Sequence, residues 1–127
     1  MKTILIPTDF PENAHHALRF ALYLSENAHL KICVLHWTEI LIPTSTPTNH
    51  YKELYDQQFE AKLSELKTNT LAVLNSVEHT KDVSKIQYIL KDSSSFEDST
   101  LEAIQENNVD LVIMGTHGAS GIKKIFF

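Results

Sequence analysis

The chain holds three glycines, Gly115, Gly118 and Gly121, and all of them fall in its last stretch, DLVIMGTHGASGIKKIFF. Glycine lets a backbone turn through positive φ and lets a ligand approach the main chain closely. Successive N–H groups in such a turn form a concavity for anions, and a helix start behind it would add its dipole. Near the other terminus, ILIPTDF places one carboxylate, Asp9, directly after an apolar run. That carboxylate could hold a metal ion bridging phosphates, or accept from a hydroxyl. Together the two segments point to phosphate or nucleotide chemistry. The plainer alternative is a tight strand-to-helix turn with Asp9 as a local cap. Spacing alone leaves both open, because GxxG is a short pattern and neither GxxxxGK[ST] nor GxGxxG occurs.

For the two segments to meet, the elements between them must bring them together. Ile4-Leu5-Ile6, Ile32-Cys33-Val34-Leu35, Ile86 to Leu90 and Leu111 to Met114 are continuous apolar runs, the pattern of strands buried on both faces of a parallel sheet. Ala14, Ala17, Leu18, Ala21 and Leu22 form the stripe of an amphipathic helix, with Pro11 near its start. Residues 38–50, with two prolines and four threonines, read as a loop. A long helix is expected from about Tyr51 to Val77, with Tyr55, Phe59, Leu63, Leu66, Thr70, Val73 and Val77 on one face. Ser94 to Glu97 has the form of a capping box. A short helix to about Asn107 follows, with Leu101 and Ile104 inward. The alternation predicts an α/β fold: an open parallel sheet of Rossmann-like order 3-2-1-4 with helices on both faces. In such a sheet the ligand crevice opens beyond the carboxyl ends of strands one and four. Pro7-Thr8-Asp9 and Gly115-Thr116-His117-Gly118 leave those two ends.

Length and composition narrow the function classes. A chain of 127 residues is one domain by size and can bury a core without disulfides. The net charge is −5 and Arg19 is the one arginine, so the basic stripe that nucleic acid requires is missing. The apolar runs are too short for a membrane span. Cys33, the single cysteine, reads as a buried reduced thiol, which points to the cytosol. His15 and His16 are adjacent and cannot converge on one metal. His36 reads as a half-buried core histidine. A hydrolase drawn from Ser120, His117 and Asp9 lacks the GxSxG elbow.

With these residues in view, the chain resembles the universal stress protein family. The resemblance is carried by KTILIPTDF before an alanine-rich helix, a strand ending Val34-Leu35-His36-Trp37, and DLVIMGTHGASGIKKIFF. It implies one domain over residues 1–127 with the same sheet. ATP-binding members carry G-x2-G-x9-G-[ST]. Gly115 and Gly118 match its first two positions, and the third glycine and the Ser or Thr would fall just past Phe127. On this pattern the domain is expected to be incomplete at its C-terminal side. The fifth strand would be missing, strand four would be an exposed edge, and Phe126 and Phe127 would belong to an incomplete helix.

The resemblance also implies a regulatory, stress-responsive module that binds ATP or a related adenine nucleotide, with or without Mg²⁺, and hydrolyses it slowly at most. The nucleotide would meet Pro7, Thr8, Asp9, Trp37, Met114, Gly115, His117 and Gly118, with Asp9 also the candidate Mg²⁺ ligand. Expected partners are the nucleotide and a second copy or tandem domain, with no nucleic acid and no membrane, in the cytoplasm. The alternative is an interaction and dimerisation domain of the same fold that uses no nucleotide. Two departures from the pattern are Pro11, where a capping Ser is common, and Lys91-Asp92-Ser93, where a glycine is often found.

Overall fold

The computed structural model describes residues 2–8, 13–25, 29–75, 86–115 and 122–126. The four apolar runs are the strands β1 (Lys2–Pro7), β2 (Leu30–Thr38), β3 (Ile86–Asp92) and β4 (Leu111–Gly115). Between them lie the helices α1 (Asn13–Ser25), α2 (Thr48–Asn75) and α3 (Phe96–Asn107). The four strands pair in parallel in the order β3-β2-β1-β4, as the pattern of runs and helices predicts.

Strand periodicity divides the core into two layers, because successive side chains point to opposite faces. Ile4, Ile6, Ile32, Val34, Ile86 and Ile113 face α1 and α2, which contribute Ala17, Leu18, Ala21, Leu66 and Val73. Leu5, Cys33, Leu35 and Val112 face Ala103 of α3. Helices therefore cover both faces. Cys33 is fully buried with its sulfur 3.9 Å from Gln87 Oε1, and burial pushes its thiol pKa up. It is the inert packed thiol that its apolar run implies.

Asp110 ties the amino ends of β1 and β4 together. Its Oδ2 accepts from the Thr3 N–H at 2.8 Å, and its own N–H donates to the Thr3 carbonyl at 2.9 Å. The two bonds set the β1–β4 register before the ladder begins at Ile4↔Leu111.

Three local expectations change. The α3 cap is Ser95, not Ser94: its side chain accepts from the Asp98 N–H at 3.1 Å, while its own N–H donates to Ser93 Oγ at 3.0 Å, so the cap is one-sided and not a reciprocal box. Leu101 points outward and is 58% exposed. Ser99 and Ala103 hold the inward stripe, and Leu101 lies about 200° around the helix from each. The small residues let α3 sit close to the sheet. The 38–50 loop is shorter than expected, since Thr38 belongs to β2 and α2 starts at Thr48.

The largest change is at the sheet edge. Residues 122–126 form β5 (Ile122–Phe126), paired antiparallel with β4, where the resemblance implies a helix and no fifth strand. Only six residues separate the two strands. A parallel return needs a crossover of about a dozen or more, so a nearby return is antiparallel. Ile and Phe favour strands, and the unpaired N–H and C=O groups of β4 offer a template. Phe126 thus lies in a strand, β4 is not an edge, and the exposed-edge argument for oligomerisation lapses. Phe127 is outside the described residues, as are Pro11 and Val77.

The buried stripe of α2 contains one polar misfit. Thr70 is fully buried, and its hydroxyl has no hydrogen-bond partner. An unmet buried hydroxyl costs about 1–3 kcal/mol. Thr70→Val, which keeps the shape, is expected to raise the urea midpoint at unchanged m-value, a gain of about 1 kcal/mol. A lowered midpoint would show that the hydroxyl is satisfied after all.

Candidate functional site

The carboxyl ends of β3, β2, β1 and β4 form one rim, and the rim parts at one seam. β1 stays laddered to β2 as far as Pro7↔Leu35. One residue on, the Thr8 N–H donates to the Leu35 carbonyl at 2.8 Å. On its other side β1 pairs with β4 at Ile4↔Leu111 and Leu5↔Val112, and among the described residues that ladder runs no further toward the carboxyl ends. This is the place where crossovers change direction, leftward through β2 and β3 and rightward to β4, and where open sheets leave a crevice.

β4 itself changes at this height. Its pairing with β5 shifts register between Met114 and Gly115. The extra residue is on β5, where Lys123 falls between the partners Ile122 and Lys124, and such irregularities concentrate beside functional sites.

The structure brings five of the eight expected residues to adjoining strand ends: Pro7 on β1 with Thr8 just past it, Trp37 on β2, and Met114 and Gly115 on β4. Thr8 is buried at 2% exposure. Trp37 and Met114 both pack on the α3 face, where the Trp37 ring meets Phe96 with centroids 5.0 Å apart at 55°. Asp9, His117 and Gly118 lie outside the described residues. Among the described residues, no three His, Cys, Asp or Glu side chains cluster as a metal site.

A cavity of about 390 Å³ adjoins the rim between α3 and β4, lined by Phe96, Glu97, Thr100, Leu101, Ile104, Val112 and Met114. The volume lies in the range of small-molecule pockets. Among the described residues, Met114 is the one expected site residue that also lines this cavity, so its wall links cavity and rim.

Two side chains that the sequence reading left aside organise the β2–β3 side. His36 Nδ1 lies 2.8 Å from the Thr8 carbonyl oxygen. A carbonyl only accepts, so Nδ1 carries the proton. Asp92, at the end of β3, uses both oxygens: Oδ1 accepts from the Ile40 N–H and Oδ2 from the Tyr55 hydroxyl, each at 2.9 Å. It thereby ties the segment after β2 and the first half of α2 to the sheet. The bond to Asp92 raises the Tyr55 pKa, with smaller contributions from burial and nearby charges. Lys91 beside it is held protonated by Glu106 first, then Glu102, against the cost of burial.

With the fold and rim described, comparison with known proteins gives a consistent result. The family model described as the universal stress protein family matches residues 1–127. No curated protein matches. Among solved structures, a protein from the universal stress protein family of Burkholderia pseudomallei is similar at 19% identity with a TM-score of 0.55, over 91% of this chain and 82% of that one. At that identity the likeness speaks for the fold.

The Asp92 clamp is open to test. In Asp92→Ala, the Tyr55 phenol, followed by NMR of ring-labelled tyrosine, is expected to titrate lower, back toward about 10. Because the folded pKa is raised, the stability it contributes is present below the unfolded pKa and is lost as pH rises through the folded one. An unmoved Tyr55 titration would mean that Asp92 does not hold the phenol.

Proposed function

From the premise that this chain belongs to the universal stress protein family, we propose that it is a stress-response domain that binds ATP or a related adenine nucleotide. The site is the seam between β1 and β4. The observation that carries the reading is the parting of that ladder above Leu5↔Val112, with Thr8 buried on one lip and Gly115, where the pairing to β5 shifts register, on the other. A crevice of this kind admits a ligand between two main chains, and a glycine on one lip lets it approach closely.

The proposed roles follow from chemistry. Asp9 accepts from a ribose hydroxyl, or holds Mg²⁺, an ion that takes oxygen ligands from one or two carboxylates and from phosphates. Backbone N–H groups of Gly115, His117 and Gly118 receive phosphate oxygens. The main chain at Trp37 meets the base, and Pro7, Thr8 and Met114 form walls. The net charge of −5 makes cation-assisted binding the natural mode, because phosphates gain little from the protein's own field. Arg19, the one arginine, is exposed on α1 and is not part of the proposed site. Binding rather than rapid hydrolysis is therefore the expected output. Among the described residues, no helix is long and apolar enough to cross a membrane.

Calorimetric titration with ATP and Mg²⁺ tests the reading. One site is expected in the wild-type chain. Asp9→Asn and Gly115→Val, checked for fold by circular dichroism, are each expected to weaken binding about tenfold, or 1.4 kcal/mol. A wild-type chain that takes up no nucleotide at millimolar concentration sinks the proposal and leaves an interaction and dimerisation domain of the same fold as the better account.

A further inference from the structure

We propose that His36 is a positioning residue for the nucleotide seam: through Nδ1 it holds the Thr8 carbonyl, and so sets the peptide link that leads into residue 9. The inference rests on the reading that the seam takes a nucleotide, but its geometric half stands without ligand.

Pro7 has no N–H to give to either neighbour, so β1 approaches its end with one ladder donor fewer. The Thr8 N–H makes its rung to the Leu35 carbonyl at 2.8 Å. At the Thr8 carbonyl a side chain from the neighbouring strand joins in, with His36 Nδ1 at 2.8 Å. Thr8 is 2% exposed, so the bond from His36 lies in a largely water-free setting, where a hydrogen bond is stronger than in water.

The peptide group is planar. Fixing the Thr8 carbonyl direction therefore fixes the plane whose far end is the nitrogen of residue 9. In the proposed site residue 9 carries the working carboxylate, which makes the direction of this plane matter to the ligand. A loosely held plane would let that carboxylate sample directions away from the bound nucleotide, and affinity would fall by the population lost.

The imidazole is itself held. It is half-buried at the end of β2, and its ring lies 6.0 Å from the Trp37 ring at 39°. Trp37 in turn rests on Phe96. The contact chain runs from the α3 amino terminus through two aromatic rings to the β1 end. Since the carbonyl accepts, the imidazole must keep a proton on Nδ1, and that requirement gives a signature separate from packing.

Two variants separate the bond from the bulk. His36→Asn keeps an amide N–H near the position of Nδ1, and His36→Leu fills similar space with no donor. By calorimetry with ATP and Mg²⁺, His36→Leu is expected to bind about tenfold more weakly, with His36→Asn within about threefold of wild type. Equal affinities in the two variants would overturn the proposal, because a merely structural histidine would not distinguish them. A wild-type chain that binds no nucleotide ends the reading of the site instead, and the positioning role is then judged in the free protein. There, long-range proton–nitrogen spectra should show the proton on Nδ1. Amide exchange at residues 8–10 should quicken about tenfold in His36→Leu, but not in His36→Asn. A proton on Nε2 alone, or exchange unchanged by the leucine, would refute it. Should the leucine variant fail to fold, the tautomer in wild type and the asparagine rescue still decide the matter.

Discussion

Two-sided parallel pairing of β1 is the constraint on which the rest depends. Ile4, Leu5 and Ile6 are exposed by 1% or less, with neighbours on both edges and helices on both faces. A strand in that position cannot shift by one residue without exchanging its two faces, and here both faces are apolar but of different shape. The register is set from outside the run, by the reciprocal bonds between Asp110 and Thr3 at one end. At the other end Thr8 is bound to Leu35 and His36. A central strand held at both ends fixes where its carboxyl terminus emerges, and the seam beside β4 follows from that position.

Much of this architecture was legible in the residues. Four short apolar runs separated by helix-period stripes are enough for a parallel sheet, because burial on both faces removes polar residues from the strands. Ala17, Leu18 and Ala21 were readable for a similar reason: a helix on a sheet needs small and branched residues at i, i+3 and i+4. What failed was local competition. Ser94 and Ser95 offer the same side chain one residue apart, and only the backbone angles of Ser95 choose between them. Hydrophobicity alone points Leu101 inward, yet the close approach of α3 selects Ser99 and Ala103. At residues 122–126, a short apolar and charged segment after glycines carries no helical or strand period long enough to separate the two. The unpaired edge of β4 decided it, and an edge is a tertiary fact.

The candidate site was legible unevenly. Pro7, Thr8, Met114 and Gly115 could be placed together, because chain order and crossover direction put the ends of β1 and β4 at one rim. In the sequence, His36 shows only as a core histidine and Asp92 only as part of a strand exit. Their partners are 28 residues away for His36, and 52 and 37 for Asp92. Bonds between a side chain and a distant backbone depend on lateral strand register, which no local pattern encodes. One signal was available in hindsight: a polar residue following an apolar strand run sits at the rim, where the ladder ends and carbonyls need new donors.

The two sides of the seam thus differ in kind. On the β2–β3 side, directional bonds dominate, from His36 to Thr8 and from Asp92 to Ile40 and Tyr55. They hold main chain in place and leave little room to adapt. On the β4 side, the wall is apolar and includes Met114, Val112, Ile104 and Phe96 around the cavity. Methionine and aromatic side chains adjust to shape at small cost. A ligand entering between them would meet a stiff polar lip and a compliant apolar one. Orientation would then be set from the β1–β2 side and contact area from the β4 side. That division requires the rigid lip to be braced before binding, since a compliant wall cannot align a ligand by itself.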